Sequence, residues 1–264
     1  MRPDGSPTRI FLAGDSSVCD REAGRAPMTG WGQALPLFFT ADAEVVNCAR
    51  AGASTRTFAE RGRLAWILDR LRPDDYLVVS FGLSDHKPEK EWRTEAFHDF
   101  QRYLRRFVDG ARDRGAHPVL VSPHERCTWD EHGNLRHVFG EYPMAMRELA
   151  AETATPYLDL YAQSLAWWAE LGPQGTRDLF MYLAPGQYPN YPEGIEDSTH
   201  LRPEGAVACA RFVAHQLAVG RIVPEHWVTA LDVPAFPPQA LGWLDDHEHA
   251  ARVGARTNGQ GDTL

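Results

Sequence analysis

Short apolar runs alternate with helical segments along most of this chain, and this alternation constrains its fold more than any other feature. Five runs have the length and composition of β-strands, at residues 9–14, 43–49, 75–82, 117–122 and 155–160. The third of them is almost wholly apolar, as expected of a strand that is covered on both faces. Strands and helices in this order predict a three-layer α/β/α domain around a parallel sheet.

Two of the intervening segments carry apolar residues at the spacing of an amphipathic helix. In residues 94–115 the predicted core-facing stripe is Phe97, Phe100, Leu104, Phe107, Val108 and Ala111. In the segment that begins at Pro203 the stripe is Val207, Ala210, Val213, Ala214 and Leu217. Both stripes are predicted to pack in the core.

The charge and the cysteine pattern exclude several classes of protein. A net charge of -9 at pH 7 argues against nucleic acid or an anionic membrane as the main partner. The four cysteines are widely spaced, without a CxxC or Cys/His pattern, so neither a metal site nor a disulfide framework is indicated. The N-terminal residues contain no secretory leader, and no run reaches the roughly 20 apolar residues of a membrane span. We therefore expect a soluble, cytoplasmic protein.

The domain organisation is predicted to be simple. Residues 1–222 are expected to form one α/β domain, and residues 223–264 an extension that packs on it, with the last dozen residues disordered. Residues 172–196 are rich in Pro, Gly and Tyr, which favours a long ordered loop.

Polar residues follow the first three predicted strands at the point where each ends. These segments are GDSS at 14–17, CARAGAST at 48–55 and GLSD at 82–85. In parallel sheets of this kind, ligands bind beyond the carboxyl ends of the strands. The three segments are therefore predicted to enclose one crevice.

A serine in such a crevice becomes a nucleophile when a base removes its proton and a third group orients the base. Ser16 has a candidate pair in Asp197 and His200, three residues apart and just ahead of Pro203. Each pattern alone has an ordinary explanation, since small polar residues close loops and an Asp or Ser before Pro often caps a helix. Catalysis is favoured because the Ser16 turn, the glycine-containing segment and the Asp197–His200 pair follow one another in this order along the chain.

The ordered set of segments resembles the SGNH/GDSL hydrolases and, within them, the rhamnogalacturonan-acetylesterase-like group. The resemblance extends from about residue 9 to residue 220 and includes FLAGDSSVCD, PMTGWGQ, VVNCARAGASTRTF, SFGLSD, GEYPMAMRELA and YPEGIEDSTHLRPEGA. It implies a flavodoxin-like five-stranded parallel sheet, an esterase without metal or organic cofactor, and an O-acylated sugar as substrate.

The resemblance also implies a role for individual residues. Ser16 would be the nucleophile, His200 the base and Asp197 its orienting partner. The oxyanion hole would be formed by the backbone N–H groups of Ser16 and Gly52 and by a side chain of the third segment. Glycine suits such a position because it permits close approach and unusual torsions, although a simple turn would also use one.

The third segment departs from the family pattern of Gly-x-Asn-Asp, because this chain has Ser84 at the asparagine position. A serine hydroxyl reaches less far than an amide, and loss of one oxyanion donor can cost about 10²–10³ in rate. Three explanations remain open: a slow hydrolase with Ser84 or a water as donor, a pocket rebuilt for another acyl group or acceptor, and a protein that has lost catalysis. Retention of Ser16, Asp197 and His200 together argues against the last.

Several other side chains are candidates for the crevice. Trp31, Arg50, Tyr188 and Tyr191 are candidate substrate contacts, with core packing or solvent exposure as the alternative for each. His86, His124 and His137 follow predicted strands.

The function predicted from all of this is a serine esterase. It would remove an acyl group, most simply acetyl, from a small-molecule or oligosaccharide ester inside the cell. An acyltransferase of the same fold and a non-catalytic carbohydrate-binding protein are the alternatives.

Overall fold

The computed structural model describes residues 5–89 and 91–255 of the 264-residue chain. Five parallel strands form its central sheet: β1 (Thr8–Gly14), β2 (Ala43–Asn47), β3 (Tyr76–Ser80), β4 (His117–Val121) and β5 (Tyr157–Leu158). Their spatial order is β2-β1-β3-β4-β5, the flavodoxin-like order. The predicted fold class is confirmed. Because the strands are parallel, the loops after β1, β2 and β3 open onto the same edge of the sheet. The order reverses at β1, where these loops meet.

Helices cover both faces of this sheet. They are α1 (Trp31–Ala34), α2 (Thr55–Glu60), α3 (Arg63–Leu68), α4 (Gln101–Arg112), α5 (Tyr142–Glu152), α6 (Leu160–Arg177), α7 (Pro203–Val219) and α8 (Asp246–Ala255). Alternate residues of β1 point to opposite faces. Ile10 and Leu12 pack with α1, α6 and α7, whereas Phe11 and Ala13 pack with α2, α3, α4 and α5. Two apolar layers therefore hold the sheet rigid beneath the loops.

Phe97 does not lie in the core stripe that the sequence predicts. Residues Ala96–Phe100 form a π-helical turn ahead of α4, in which the Phe100 N–H donates to the Glu95 carbonyl at 3.0 Å. A π turn takes one residue more than an α turn and so rotates the side chains that precede it. Phe97 is 43% exposed, while Phe100 and the rest of the stripe are buried.

Residues 172–196 are not one long loop, contrary to the sequence interpretation. Helix α6 bends at Gly172, where φ is +68°, and continues to Arg177. An antiparallel hairpin follows, formed by β6 (Phe180–Leu183) and β7 (Ile195–Leu201). Within 172–196, a two-residue turn at 178–179 and the residues between these two strands are the parts outside helix and strand.

Residues 223–244 pack against the α/β domain. Trp227 and Leu241 are buried in the same apolar layer as α7, and Leu244 is also buried. The Gln33 side chain donates to the Leu241 carbonyl at 3.1 Å, and the Trp243 indole donates to the Met28 carbonyl at 3.0 Å. The division between residues 222 and 223 stays a prediction, and most of the dozen residues predicted to be disordered lie outside the described ones.

The four cysteines are all buried and form no disulfide within the described ranges. Among these residues, no helix has the length and apolar character that a bilayer crossing requires.

Candidate active site

A tight turn at the end of β1 presents Ser16. The Asp15 carbonyl accepts hydrogen bonds from the N–H groups of Val18 and Cys19, at 3.2 and 3.1 Å. Gly14 leaves no room for a side chain, because a Cβ there would lie 2.6 Å from Val18 and 2.8 Å from the Ser80 carbonyl. The chain therefore reverses immediately after the strand and holds Ser16 at its carboxyl end.

Two buried charged groups fix this turn. The Asp15 carboxylate accepts from the N–H and the hydroxyl of Ser17, at 2.9 and 2.8 Å, and from the Leu83 N–H at 3.1 Å. Burial raises the pKa of Asp15, and the bonds from Ser17 and Leu83 oppose that rise. The Arg21 guanidinium donates to the Ser16 carbonyl at 2.7 Å. Nothing in the sequence signals the contact of Arg21, whose side chain returns to the turn from five residues downstream.

Asp197, His200 and Ser16 form a continuous chain of hydrogen bonds. His200 Nδ1 lies 2.6 Å from Asp197 Oδ2, and His200 Nε2 lies 3.0 Å from Ser16 Oγ. A carboxylate only accepts, so Nδ1 carries the proton and Nε2 is free to accept from the serine hydroxyl. The arrangement can move the Ser16 proton to an imidazole that a carboxylate orients.

Backbone N–H groups hold the Asp197 carboxylate in place, in addition to its bond with the imidazole. Its Oδ1 atom accepts from the N–H groups of Thr199 and His200, at 2.8 and 3.1 Å. Burial alone would raise the pKa of Asp197, but the bonds from His200 and from the backbone outweigh it and lower the pKa. Asp197 and His200 lie within β7, just ahead of the helix α7 that begins at Pro203.

Gly52 lies in the loop after β2 with φ +77° and open space on the side where a Cβ would project. The Arg50 N–H donates to the Gly14 carbonyl at 2.9 Å, which joins this loop to the end of β1. Ser54 and Thr57 then form a capping box that starts α2. The loop is thus fixed at both ends, and Gly52 lies between them with left-handed backbone torsions.

Ser84, at the family's asparagine position, is 1% exposed, and its hydroxyl has no hydrogen-bond partner in the described part of the chain. The neighbouring Leu83 N–H is occupied by Asp15. A buried hydroxyl without a partner is unfavourable, and its proton is not committed to another residue that the structure describes.

Asp85 joins the third segment to the second. Its carboxylate accepts from the Thr55 N–H at 3.1 Å, from the Thr55 hydroxyl at 2.5 Å and from the Thr94 hydroxyl at 2.9 Å. Burial raises its pKa to about 7, against the effect of these hydrogen bonds. With Asp15, which joins the first segment to the third, Asp85 connects the three loops of the crevice. Both residues lie in the quoted segments, but their bridging contacts are set by tertiary structure.

The candidate substrate contacts are dispersed. Trp31 is 0% exposed in the hydrophobic core, so the prediction that it contacts a substrate is wrong. Arg50 lines a cavity of about 390 Å³ together with Gly52, Arg61 and Trp92.

The two tyrosines of the β6–β7 loop lie elsewhere. Tyr191 donates its hydroxyl to the Arg25 carbonyl at 3.1 Å and thereby fixes the loop. Tyr188 lines a groove of about 730 Å³ whose walls include neither Ser16 nor His200.

The three candidate histidines differ in environment. His124 is buried, with Nδ1 3.0 Å from the Glu125 carbonyl, and burial lowers its pKa to about 4. His86 is half-buried, with its ring edge-on to Phe139, and burial lowers its pKa as well. His137 is exposed. Within residues 5–89 and 91–255, no group of three or more His, Cys, Asp or Glu is placed to hold a metal ion.

Comparison with known proteins identifies relatives of this arrangement. The model of the GDSL-like lipase/acylhydrolase family matches residues 12–208. Rhamnogalacturonan acetylesterase RhgT of Bacillus subtilis (strain 168) is 42% identical over 224 residues, which are 84% of this chain and 95% of that protein. The rhamnogalacturonan acetylesterase of Emericella nidulans is 26% identical over 231 residues, or 80% of this chain and 84% of its own.

The fold has relatives of known structure. The crystal structure of protein YxiM from Bacillus subtilis superposes with a TM-score of 0.70 at 28% identity, over 83% of this chain and 58% of that one. This chain thus spans little more than half the length of that protein. The three loop segments meet over one crevice in the order that the family resemblance implies, and the family model matches residues 12–208. The chain therefore belongs to the GDSL-like lipase/acylhydrolase family and is an ester hydrolase.

Proposed function

We propose that this protein is a serine esterase that removes an acetyl group from an O-acetylated sugar through an acyl-Ser16 intermediate. The observation that carries the proposal is the hydrogen-bonded chain from Asp197 through His200 to Ser16. The names of the relatives support the substrate class, since RhgT and the Emericella nidulans protein are both rhamnogalacturonan acetylesterases.

The reaction begins when His200 Nε2 takes the Ser16 proton and Ser16 Oγ attacks the ester carbonyl carbon. Asp197 orients the imidazole and stabilises the imidazolium that forms. The carbonyl oxygen becomes an alkoxide that the N–H groups of Ser16 and Gly52 and the Ser84 hydroxyl bind. His200 then gives its proton to the departing sugar hydroxyl, which leaves acetyl-Ser16.

Water enters for the second step. His200 removes a proton from this water, whose oxygen attacks the acetyl carbonyl, and the second alkoxide occupies the same three donors. Collapse of this intermediate returns the proton to Ser16 Oγ and releases acetate. The free enzyme is restored without a cofactor.

Trapping the intermediate tests the proposal. A fluorophosphonate probe forms a stable adduct with an activated serine, and we expect a single adduct on the peptide that contains Ser16. The Ser16→Ala and His200→Ala variants should not be labelled, and an Arg136→Gln variant, which alters an exposed side chain, should label as the wild type does. Labelling at another serine, or wild-type protein that neither labels nor releases acetate from acetylated oligosaccharides, would overturn the proposal.

A further inference from the structure

A buried arginine side chain holds the peptide that follows the nucleophile. Arg21 is 7% exposed, and its Nη2 atom donates to the Ser16 carbonyl at 2.7 Å. The N–H of the same peptide, which belongs to Ser17, donates to Asp15 Oδ1 at 2.9 Å. The Cys19 thiol, 3.8 Å from the Ser16 carbonyl, is a much weaker donor. A peptide unit is planar, so a donor on its carbonyl and an acceptor on its N–H together fix its rotation.

No counter-ion accounts for the placement of this guanidinium. Among the residues that the structure describes, Arg21 forms no ion pair, and its Nε atom is buried without a hydrogen-bond partner. The flanking carboxylates have other partners, since Asp20 accepts from the Asn47 side chain at 2.8 Å and Glu22 accepts from Arg25 at 3.2 Å. A guanidinium remains protonated in proteins, and a desolvated charge without a counter-ion is unfavourable. The hydrogen bond to the carbonyl of the nucleophile is therefore what this side chain contributes.

The C-terminal part of the chain holds Arg21 in this position. The Arg21 N–H donates to Gln33 Oε1 at 3.0 Å, and Gln33 Nε2 donates to the Leu241 carbonyl at 3.1 Å. The Leu244 N–H donates to the Arg21 carbonyl at 3.4 Å, and the Leu244 carbonyl accepts from the Ala23 N–H at 2.7 Å. The backbone of Arg21 is thus fixed on both sides by residues more than 200 positions away in the chain.

We propose that Arg21 is a positioning residue for the nucleophile and that residues 241–244, which lie beyond the matched residues 12–208, keep it in place. This inference rests on the proposed function, in which Ser16 attacks the ester. Fixing the peptide after Ser16 keeps its Oγ atom in line with His200 Nε2. Misplacement of a reacting group by about 1 Å can lower a rate about 10²-fold. Because the Arg21 side chain is buried, its effect is on the rate of attack and not on substrate binding.

The first test removes the donor and keeps most of the side-chain volume. In Arg21→Met we expect kcat/KM for p-nitrophenyl acetate to fall about 10–10²-fold, through kcat and not KM. The rate at which the fluorophosphonate probe labels Ser16 should fall by the same factor. Arg21→Lys should stay within about 3-fold of the wild type, because a single nitrogen of the guanidinium makes the contact and lysine supplies one charged donor. Rescue by lysine separates loss of the hydrogen bond from loss of packing.

Arg114→Met is the matched control. The Arg114 guanidinium also donates to backbone carbonyls, that of Gly110 at 3.1 Å and that of Leu68, but it lies between α4 and β4, at the edge of the sheet opposite the crevice. This variant should lose stability in urea unfolding and keep the wild-type kcat/KM. Equal losses of kcat/KM in the two methionine variants, or an Arg21→Lys variant as slow as Arg21→Met, would overturn the inference.

Leu244→Ala tests the C-terminal segment without altering the Arg21 side chain, and it also serves where Arg21→Met does not fold. Leu244 is buried, so its truncation should loosen the backbone bonds to Arg21 and Ala23 and lower kcat/KM about 3–10-fold. In the Arg21→Met background the same change should have no further effect, because the connection to Ser16 is already lost. Val223→Ala, at another buried position of this part of the chain, should keep the wild-type rate. Losses that multiply in the double variant, or a Leu244→Ala variant with wild-type kcat/KM, would overturn the role of residues 241–244.

Labelling separates this inference from the proposed function. Wild-type protein that is labelled at Ser16, with Arg21→Met labelled at the same rate, overturns this inference alone. Wild-type protein that is not labelled at Ser16 overturns both.

Discussion

His200 Nε2 lies 3.0 Å from Ser16 Oγ, although 184 residues separate the two in the chain. Ser16 follows β1 of the five-stranded sheet, and His200 lies in β7, which is outside that sheet. The hydrogen bond therefore depends on how the β6–β7 hairpin docks over the carboxyl edge of the sheet. Two backbone hydrogen bonds hold the hairpin there. The Thr29 N–H donates to the Leu201 carbonyl, and the Cys127 N–H donates to the Ser198 carbonyl, both at 2.9 Å.

Ser16→Ala and His200→Ala should each lower kcat for p-nitrophenyl acetate at least about 10³-fold, because the nucleophile and its base act as a unit. For the same reason the double variant should lose little more than either single variant. Circular dichroism and thermal unfolding should show that all three proteins are folded. Single variants whose losses multiply in the double variant would contradict a shared proton transfer.

Gly52→Ala should reduce activity through backbone torsion alone. A Cβ at Gly52 would meet no atom within 4 Å, but φ of +77° is unfavourable for any other residue. We expect a loss of roughly 1–2 kcal/mol in the free energy of unfolding and, because relaxation of the loop would turn the N–H away from the alkoxide, a fall in kcat of about 10–10².

Gly133→Ala is the control for this variant, since Gly133 has φ +78° and the same open surroundings in an exposed turn. It should lose similar stability, measured by urea unfolding, and keep full activity. Equal losses of kcat in both variants would show that Gly52 has no special role.

Much of this architecture could be predicted from the amino-acid sequence. The strands were predictable because each depends on a short apolar run. Ser16, Asp197 and His200 were predictable from the order of their segments along the chain and from the family resemblance of that order. The π turn that exposes Phe97 was not, since one additional residue in a turn leaves the apolar spacing of the segment almost unchanged. The sequence left substrate contact and core packing both open for Trp31, because an aromatic residue in a polar-looking segment gives no sign of whether it faces the core.

Replacement of Ser84 tests the departure from the family pattern. Ser84→Ala should lower kcat by about 10–10², because it removes a hydroxyl that has no hydrogen-bond partner among the described residues and that we propose as a donor to the alkoxide. Ser84→Asn should raise kcat above the wild type, since an amide reaches further into the site. The order Asn above Ser above Ala in p-nitrophenyl acetate hydrolysis, at matched thermal stability, is the expected result. An Asn variant that is folded but slower than the wild type would indicate a pocket rebuilt around serine.

Asp85 should make the stability of the protein fall as pH rises towards neutrality. Its pKa is about 7 in the folded protein, against 3.8 for an ordinary aspartate. Between these values the folded state holds a proton that the unfolded state has released, so the free energy of unfolding decreases with increasing pH. The decrease attributable to this group is at most about 4 kcal/mol, reached above pH 7.

Asp85→Asn removes this titration and can keep the three hydrogen bonds that Asp85 Oδ1 accepts from Thr55 and Thr94. Urea unfolding at pH 5, 6, 7 and 8 should show the stability difference between variant and wild type shifting in favour of the variant as pH rises. Asp232→Asn, at an exposed position, should follow the wild-type profile. If the difference between Asp85→Asn and wild type is constant over this range, Asp85 is already ionised at pH 5, and the hydrogen bonds from Thr55 and Thr94 outweigh its burial.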